Sequence, residues 1–310
     1  MNSLADVHIP AGTRLRDYTL PAPAIVDRVH RNPQSALAPL RAARPRLLMC
    51  APTHFAVNDS INPWMIGESG RASSSRARSQ WTALREILGR HATIETIDAV
   101  ASLPDMPFTA NAGLLHRGRF VPSRFRHAER RGEEAHFIEW FRRRGIAICR
   151  LPERIHFEGA GDALFDEAID LLWMGHGQRS ELAAAAGLAR LLDTDTVPLR
   201  LIDRRFYHLD TCFCPLPRGV LLWYPPAFDE DSRALVESRI HSSLRIAVDD
   251  ADALAFACNA ISLGSAIVLH RASGKLKRQL DDAGFTVIET PLNEFHKAGG
   301  SAKRLILRVE

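Results

Sequence analysis

The stretch that decides the fold covers residues 156–202 and reads HFEGAGDALFDEAIDLLWMGHGQRSELAAAAGLARLLDTDTVPLRLI. Two short apolar runs in it, around ALF and LLWMG, have the length and flanking turns of β-strands. A helical pattern follows from Ser180 to Leu192, and the apolar run VPLRLI closes the stretch. The order strand, strand, helix, strand is therefore predicted for this unit.

The same order recurs along the chain. Further copies begin near Phe108, at YHLDTCFCPL and at ALAFACNAI, with helices predicted over 128–144, 229–239 and 275–283. The chain ends with EFHKAGGSAKRLILRV, which supplies the opening strands of a fifth copy. The remaining strand, RLLMCAP, and a helix near Trp81 to Leu88 come from the start of the domain. The repeat is thus about 45–60 residues long, and its fifth copy is split between the two ends.

Repeats of this size favour a closed or stacked arrangement. We expect an α/β ring of five units that is closed by both termini, with the first strand of every unit pointing into a central channel. An ordinary doubly wound sheet is the alternative. The Gly-rich phosphate turn that would support it is missing after the first strand. The ring domain is predicted over residues 46–310, and residues 1–45, rich in Pro, Ala and Arg, are predicted to be an N-terminal extension.

Composition narrows the class of protein. The 310 residues are 46% hydrophobic and 25% charged, which is typical of a globular protein, and the net charge is +4. The arginines cluster in 124–131 and 142–144, where we interpret them as solvated helix faces because no nucleic-acid-binding module accompanies them. Neither a membrane-spanning run nor a secretory signal is recognisable, so a cytoplasmic location is predicted, without nucleic-acid or membrane partners.

The cysteines indicate buried free thiols. The chain has five, an odd number, and most lie in apolar strand-like runs such as LLMC and FACNAI. Cys212 and Cys214 are too close together for a zinc knuckle, and the histidines lie on separate segments. No metal site and no cofactor are predicted.

Polar residues recur at one place in each unit, which we assign to the end of its first strand. They are Asn62, Asn111, Glu158 and Asp162, His208 and Asp210, and the turn Gly299-Gly300-Ser301. Any one of them alone would be a capped turn or a satisfied core residue. Five converging units would instead gather carboxylates and a histidine in one channel, which costs desolvation energy unless a cation offsets it.

A planar guanidinium fits such a site. Glu158 and Asp162 could accept its paired N–H donors, and His208 could move protons near neutral pH. Asp210 would share a strand face with His208 and hold its tautomer. Arg179, in the loop GHGQRS, could clamp a substrate carboxylate from outside the channel, although this loop could equally be a plain turn with Ser180 as helix N-cap.

A family resemblance then becomes specific. The segments MCAPTHF, INPWM, FTANAGLL, FEGAGDALF, GHGQRS, HLDTCFCPLP, FACNAI and GGSAKRLIL occur in that order. Together they resemble the superfamily of arginine deiminases, dimethylarginine dimethylaminohydrolases and amidinotransferases, and most of all bacterial dimethylarginine hydrolase-like proteins and the arginine dihydrolase branch. The resemblance covers about residues 47–310. It implies the pentein fold, a five-bladed α/β propeller with pseudo-fivefold ββαβ repeats.

The resemblance also implies roles. Glu158 and Asp162 match carboxylates that grip the guanidinium, His208 matches the general acid/base, and Arg179 matches a residue for the substrate carboxylate. Asn62 and Asn111 match pocket asparagines of the dihydrolase branch, and Asp210 and Ser301 complete the expected ligand-binding set. The expected ligand is a small guanidino compound such as arginine or methylarginine, and a homodimer is one expected assembly.

One position departs from the family. Its nucleophilic cysteine is expected in a turn reading Gly-Gly-Ser-x-x-Cys-Leu-Thr, but here Arg304 stands at the cysteine position and Ile306 at the threonine. A guanidinium stays protonated and offers no lone pair for attack. We do not expect Cys212, Cys214 or Cys258 to take over as the nucleophile.

Three readings stay open. The chain is a pseudoenzyme that keeps the pocket, with Arg304 paired to Glu158 or Asp162 in place of a ligand. It is an enzyme of altered chemistry, in which His208 activates water or Arg304 orients an anionic substrate. Or it is an ordinary hydrolase that was inactivated by a single change.

Overall fold

A computed structural model describes residues 44–309. The predicted extension 1–45 lies outside the described residues except for its last two positions. The strands are β1 Arg46–Cys50, β2 Thr93–Ile97, β3 Gly113–His116, β4 Arg119–Pro122, β5 Ala147–Ile148, β6 Ala163–Asp166, β7 Leu171–His176, β8 Thr196–Arg200, β9 Phe213–Pro215, β10 Leu221–Trp223, β11 Arg245–Ala247, β12 Ile261–Leu263, β13 Ala266–Leu269, β14 Thr286–Glu289 and β15 Leu307–Arg308.

The strands form five three-stranded sheets with one shared pattern. In four of them the strands follow chain order, β3-β4-β5, β6-β7-β8, β9-β10-β11 and β12-β13-β14. The middle strand pairs antiparallel with the first and parallel with the third, because the helix of the unit crosses over between the second and third strands. The predicted strand, strand, helix, strand repeat is confirmed in these units.

The fifth sheet joins the two ends of the domain. Its order is β15-β1-β2, and β1 is antiparallel to β15 and parallel to β2. Leu48 of β1 pairs with Leu307 of β15, and both side chains are buried. The split fifth copy and the α/β pentein fold are therefore confirmed.

The helices carry the crossovers and the short connections. They are α1 Ser74–Gly89, α2 Ala128–Arg131, α3 Glu133–Arg142, α4 Ala183–Leu192, α5 Glu230–Arg239, α6 Asp250–Leu254, α7 Gly274–Asp282 and α8 Asn293–His296. Side-chain caps begin several of them: the Asp229 carboxylate accepts from Ser232 N–H at α5, and Ser273 accepts from Leu276 N–H at α7. The apolar faces of the helices and strands pack into buried clusters, two of which gather around β4 with α3 and around β1 with α1.

Two details of the predicted repeat were wrong. The ALAFACNAI segment begins in α6, and only its last residue, Ile261, lies in a strand; EFHKAGG begins in α8. The single helix expected over 128–144 is two helices that meet at Gly132. The sequence pattern predicted strands at these places because the apolar residues of the short helices and turns are buried, as those of a strand would be.

Candidate functional site

The polar residues of the repeat lie on short 3-10 turns or within two residues of one. Asn62 caps the turn Pro63–Met65, which follows β1. The other residues belong to turns that come before the first strand of a unit. Their turns are Thr109–Ala112, Gly159–Gly161, Leu209–Thr211 and Lys303–Leu305. Neighbouring turns touch one another: 159–161 contacts both 109–112 and 209–211, and 303–305 contacts 109–112. The prediction that these residues end the first strand was wrong, but the expected convergence is observed.

His208 lies between two carboxylates. Its Nε2 is 3.3 Å from Glu158 Oε2 and its Nδ1 is 3.0 Å from Asp162 Oδ1. The Nδ1 contact is short enough for an ion pair, although its alignment is poor for a hydrogen bond. All three side chains are buried, with exposed fractions of 0 to 1%. The sequence-predicted acid, base and carboxylate residues are therefore together.

The backbone of this site needs glycine. At Gly159 the φ angle is +64°, and a Cβ there would lie 2.7 Å from Gly113 N and 2.8 Å from Ala110 O. Glycine thus lets the 3-10 turn after Glu158 pack directly on the neighbouring turn.

Both carboxylates are already hydrogen-bonded within the chain. Glu158 Oε1 accepts from Arg126 N–H, and Asp162 Oδ1 accepts from Leu209 N–H. Ser180 Oγ donates to Asp162 Oδ2 at 2.6 Å and accepts from Glu158 N–H at 2.9 Å. The alternative reading of Ser180 as a helix N-cap was wrong, because α4 begins only at Ala183 and the hydroxyl is turned to the site.

Arg179 lies inside the site rather than outside the channel. Its Nη1 donates to Glu158 Oε2 at 3.1 Å and its Nη2 donates to Ile61 O at 2.8 Å. Burial alone would raise the pKa of Glu158, but the charge of Arg179 and the contact with His208 hold that pKa well below its usual range. The guanidinium that pairs with Glu158 is therefore that of Arg179, a side chain of the protein itself.

Arg304 pairs with Asp210, not with Glu158 or Asp162 as expected. Its Nη2 donates to Asp210 Oδ1 at 2.5 Å and its Nε to Oδ2 at 3.4 Å. Its Nη1 donates to Tyr207 Oη at 2.8 Å and to Gly299 O at 3.0 Å. Although burial lowers the pKa of Arg304, Asp210 raises it above its ordinary value, so the guanidinium is a fixed cation with only 2% exposure.

The expected role of Asp210 was also wrong. Because Leu209–Thr211 is a 3-10 turn and not a strand, residues 208 and 210 do not share a face. Asp162, from another unit, faces the His208 Nδ1 instead, while Asp210 faces Arg304.

The remaining predicted residues brace the site. Asn62 donates to Ala298 O and accepts from Trp64 N–H. Asn111 Nδ2 donates to Glu158 O at 3.1 Å and lies 3.5 Å from His208 Nε2. Ser301 Oγ is 3.1 Å from His296 Nε2.

Sequence reasoning missed several site residues. Tyr207 lies between the two arginines, with its ring centroid 4.6 Å from the Cζ of Arg179 and 5.1 Å from that of Arg304. Asn259 holds the C-terminal turn, because its Oδ1 accepts from Ser301 N–H and Arg304 N–H. Its place in FACNAI, equivalent to Asn111 in FTANAG, was the signal that could have identified it.

Arg130 is a further residue that was missed. The arginine-rich run was interpreted as a solvated helix face. Arg124, Arg126 and Arg131 are exposed, but only Arg131 of these lies on a helix, and Arg130 is exposed by only 4%. Its guanidinium binds both carboxylate oxygens of the buried Glu133 at 2.8 Å.

Most of the cysteine thiols are buried and hard to ionise. Cys50, Cys212, Cys214 and Cys258 are buried, Cys149 is half-buried, and all five are free. Burial raises the pKa of Cys212 and Cys258 well above the ordinary value and that of Cys214 to about 12. Attack requires a thiolate, and the raised pKa values of Cys212, Cys214 and Cys258 disfavour its formation.

The described residues contain no cluster of three or more histidine, cysteine or acidic side chains that could hold a metal ion. Within residues 44–309, no helix is both long enough and apolar enough to cross a bilayer.

Comparison with known proteins now decides the family. A family model described as N,N dimethylarginine dimethylhydrolase, eukaryotic, matches residues 45–309. The chain belongs to this dimethylarginine hydrolase family. Among its relatives is the N(G),N(G)-dimethylarginine dimethylaminohydrolase of Mycobacterium tuberculosis, 34% identical over 265 residues that make up 85% of each chain. Membership of this family confirms the predicted fold and the predicted relationship to guanidino hydrolases.

Some relatives are much longer. The bifunctional arginine dihydrolase/ornithine cyclodeaminase AgrE of a Nostoc species is 51% identical over 267 residues, which are 86% of this chain and 38% of that protein. A crystal structure of the N-terminal domain of ArgZ, an arginine dihydrolase, bound to its substrate, superposes with a TM-score of 0.85 at 50% identity. It covers 86% of this chain and 98% of that domain. The chain therefore matches the N-terminal domain of ArgZ over nearly its whole length and spans about 38% of the length of AgrE.

Proposed function

We propose that the protein binds a guanidino compound such as arginine or methylarginine as a pseudoenzyme, without the covalent cysteine mechanism. The observation that carries the proposal is the buried ion pair of Arg304 and Asp210, at the position where the family resemblance implies a nucleophilic cysteine. Arginine has no lone pair with which to attack a guanidinium carbon. AgrE, ArgZ and the Mycobacterium tuberculosis relative are named as enzymes, so the proposed loss of activity sets this chain apart from them.

Charge supports weak rather than tight binding of a cation. Arg179 neutralises Glu158 and Arg304 neutralises Asp210, so a guanidinium ligand that pairs with either of these carboxylates must displace one of the protein's own guanidinium groups. A ligand cation about 5 Å from Arg304 would be repelled by about 3 kcal/mol at an effective dielectric constant of about 20. Arg304 thus suppresses ligand binding through its charge and its occupation of Asp210.

Calorimetric titration with arginine tests this proposal. Arg304→Ala should bind arginine about tenfold more tightly than the wild type, equivalent to about 1.4 kcal/mol, because Asp210 becomes available and a cation is removed. Arg78→Ala, which removes an exposed arginine on α1, is the matched control and should leave the affinity unchanged. No measurable arginine binding in either the wild type or Arg304→Ala would overturn the proposal.

A second candidate is a hydrolase of altered chemistry. The position of His208 between Glu158 and Asp162 favours it, because such an imidazole could take a proton from water without any thiol. Turnover of a guanidino compound by the wild type, abolished by His208→Ala, would support it. Absence of ammonia, urea and alkylamine release across a panel of guanidino substrates would exclude it.

We also propose that residues 46–310 form the functional domain. The protein is proposed to be a homodimer and to act in the cytoplasm. Light scattering after size-exclusion chromatography would test the assembly, and a mass near the 34.5 kDa of one chain would contradict the homodimer.

A further inference from the structure

Arg130 connects a buried ion pair to the histidine of the site. It lies on α2 with 4% exposure, and its Nε and Nη2 donate to the two carboxylate oxygens of Glu133, both at 2.8 Å. Its Nη2 also donates to Asp105 O at 3.3 Å, and its Cζ lies 4.5 Å from the ring centroid of Phe125. These contacts fix the guanidinium in one orientation, with Nη1 left to face Asn111 at 3.1 Å.

The contact with Arg130 fixes which way the Asn111 amide points. A guanidinium can only donate hydrogen bonds, so the Asn111 atom that faces Nη1 must be the oxygen. The amide nitrogen then points the other way, where Nδ2 donates to Glu158 O at 3.1 Å and lies 3.5 Å from His208 Nε2. Arg130 therefore acts on His208 through Asn111, without touching it.

We propose that Arg130 is a positioning residue that, through Asn111, holds His208 in the tautomer with its proton on Nδ1. An amide N–H can only donate, so the His208 nitrogen that it faces must be the acceptor. The proton then resides on Nδ1, which has Asp162 Oδ1 at 3.0 Å.

Glu158 favours the other tautomer of His208, but the contact of Glu158 with Arg179 weakens this effect. Its Oε2 lies 3.3 Å from His208 Nε2 and would favour a proton on that nitrogen. The same oxygen already accepts from Arg179 Nη1 at 3.1 Å, which draws its charge away from the imidazole. Asp162 Oδ1 makes the shorter contact with the ring, at 3.0 Å from Nδ1. It is out of line for a hydrogen bond, but its negative charge favours a proton on Nδ1 over a lone pair there.

The assignment is independent of catalysis. A tautomer is set whether His208 moves protons for turnover or only donates to a bound ligand. Failure of the proposed guanidino binding would therefore leave this inference intact, and the reverse also holds.

Nitrogen-15 NMR of the histidine rings tests the inference, at a pH well above the ordinary histidine pKa of about 6.5. We expect Nδ1–H for wild-type His208. Asn111→Asp replaces the donor with a carboxylate oxygen of the same shape, so His208 should switch to Nε2–H. His270 is an internal reference: its Nδ1 accepts from Leu292 N–H, so it should remain Nε2–H throughout.

The contribution of Arg130 is tested by removing the ion pair as a unit. Arg130→Met with Glu133→Gln avoids leaving a buried charge unpaired, and it frees the Asn111 amide to flip, so both His208 tautomers should appear. Arg130→Lys keeps a donor facing Asn111 and should keep mostly Nδ1–H; loss of Nδ1–H in this variant would show that a donor at this position is not sufficient. Nε2–H or a doubly protonated ring in the wild type, an unchanged tautomer in Asn111→Asp, or Nδ1–H alone in the folded double variant would overturn the inference.

Discussion

At the scale of single residues, the site is dominated by arginines paired with carboxylates inside the protein. Arg304 with Asp210, Arg179 with Glu158, and Arg130 with Glu133 are all at most 4% exposed. Removing one member of such a pair leaves a buried charge without its partner, which is much more costly than loss of an exposed pair.

Asp210→Asn should therefore destabilise the fold by about 3–5 kcal/mol, because Arg304 stays charged and buried. Urea unfolding provides the measurement. The matched control is Asp203→Asn, which breaks the partly exposed pair with Arg205 and should cost at most about 1 kcal/mol. Equal losses in the two variants would show that the Arg304 pair is not buried in solution.

His176 should give the stability a pH dependence. Burial lowers the pKa of His176 to about 4, from an ordinary value of about 6.5 in the unfolded chain. Between these values the unfolded chain binds a proton that the folded chain does not, so stability falls as pH drops from about 6.5 to about 4, by up to about 1.4 kcal/mol per unit. His176→Gln should flatten that part of a stability profile; the same slope in both proteins would refute the assignment.

At the scale of elements, the short 3-10 turns explain where prediction from sequence succeeded and where it did not. The recurrence of polar residues revealed that each unit contributes to one site. The sequence did not reveal that they lie on turns, because residues such as Leu209 in HLDTC are buried and apolar, as a strand would require. The side chain next to His208 Nδ1 is therefore Asp162 and not the predicted Asp210. Asp162 belongs to another unit, and only the packing of the two units brings it close.

Gly161→Ala tests the close packing of these turns. A Cβ at position 161 would overlap the Asn111 amide nitrogen and lie 3.4 Å from His208 Nδ1. We expect a loss of about 1–3 kcal/mol on urea unfolding, as for other overpacked sites. Gly89→Ala, at the end of α1 with no atom within 4 Å of the new methyl, should instead be neutral or stabilising.

At the scale of the whole molecule, the split sheet makes the two ends of the domain interdependent. The repeat predicted this closure, since strand material was left over at each end. The ion-pair partners inside the ring were beyond prediction, because they depend on which side chains meet across units far apart in sequence.

Leu307→Ala tests the closure. Leu307 is 1% exposed and pairs with Leu48 across the joint, so its truncation should cost about 2–5 kcal/mol in unfolding free energy. Leu254→Ala is the same change at a site that is 41% exposed on α6, and we expect it to cost clearly less. Similar losses would indicate that β15 does not close the ring.

The claim that Arg304 has replaced the nucleophile is tested most directly by product release. Wild type and Arg304→Cys are incubated with arginine and with dimethylarginine, and ammonia and alkylamine are measured. We predict no release by the wild type and release by Arg304→Cys, whose thiol would enter a site that retains His208, Glu158 and Asp162. Steady release by the wild type, lost in His208→Ala, would contradict the account.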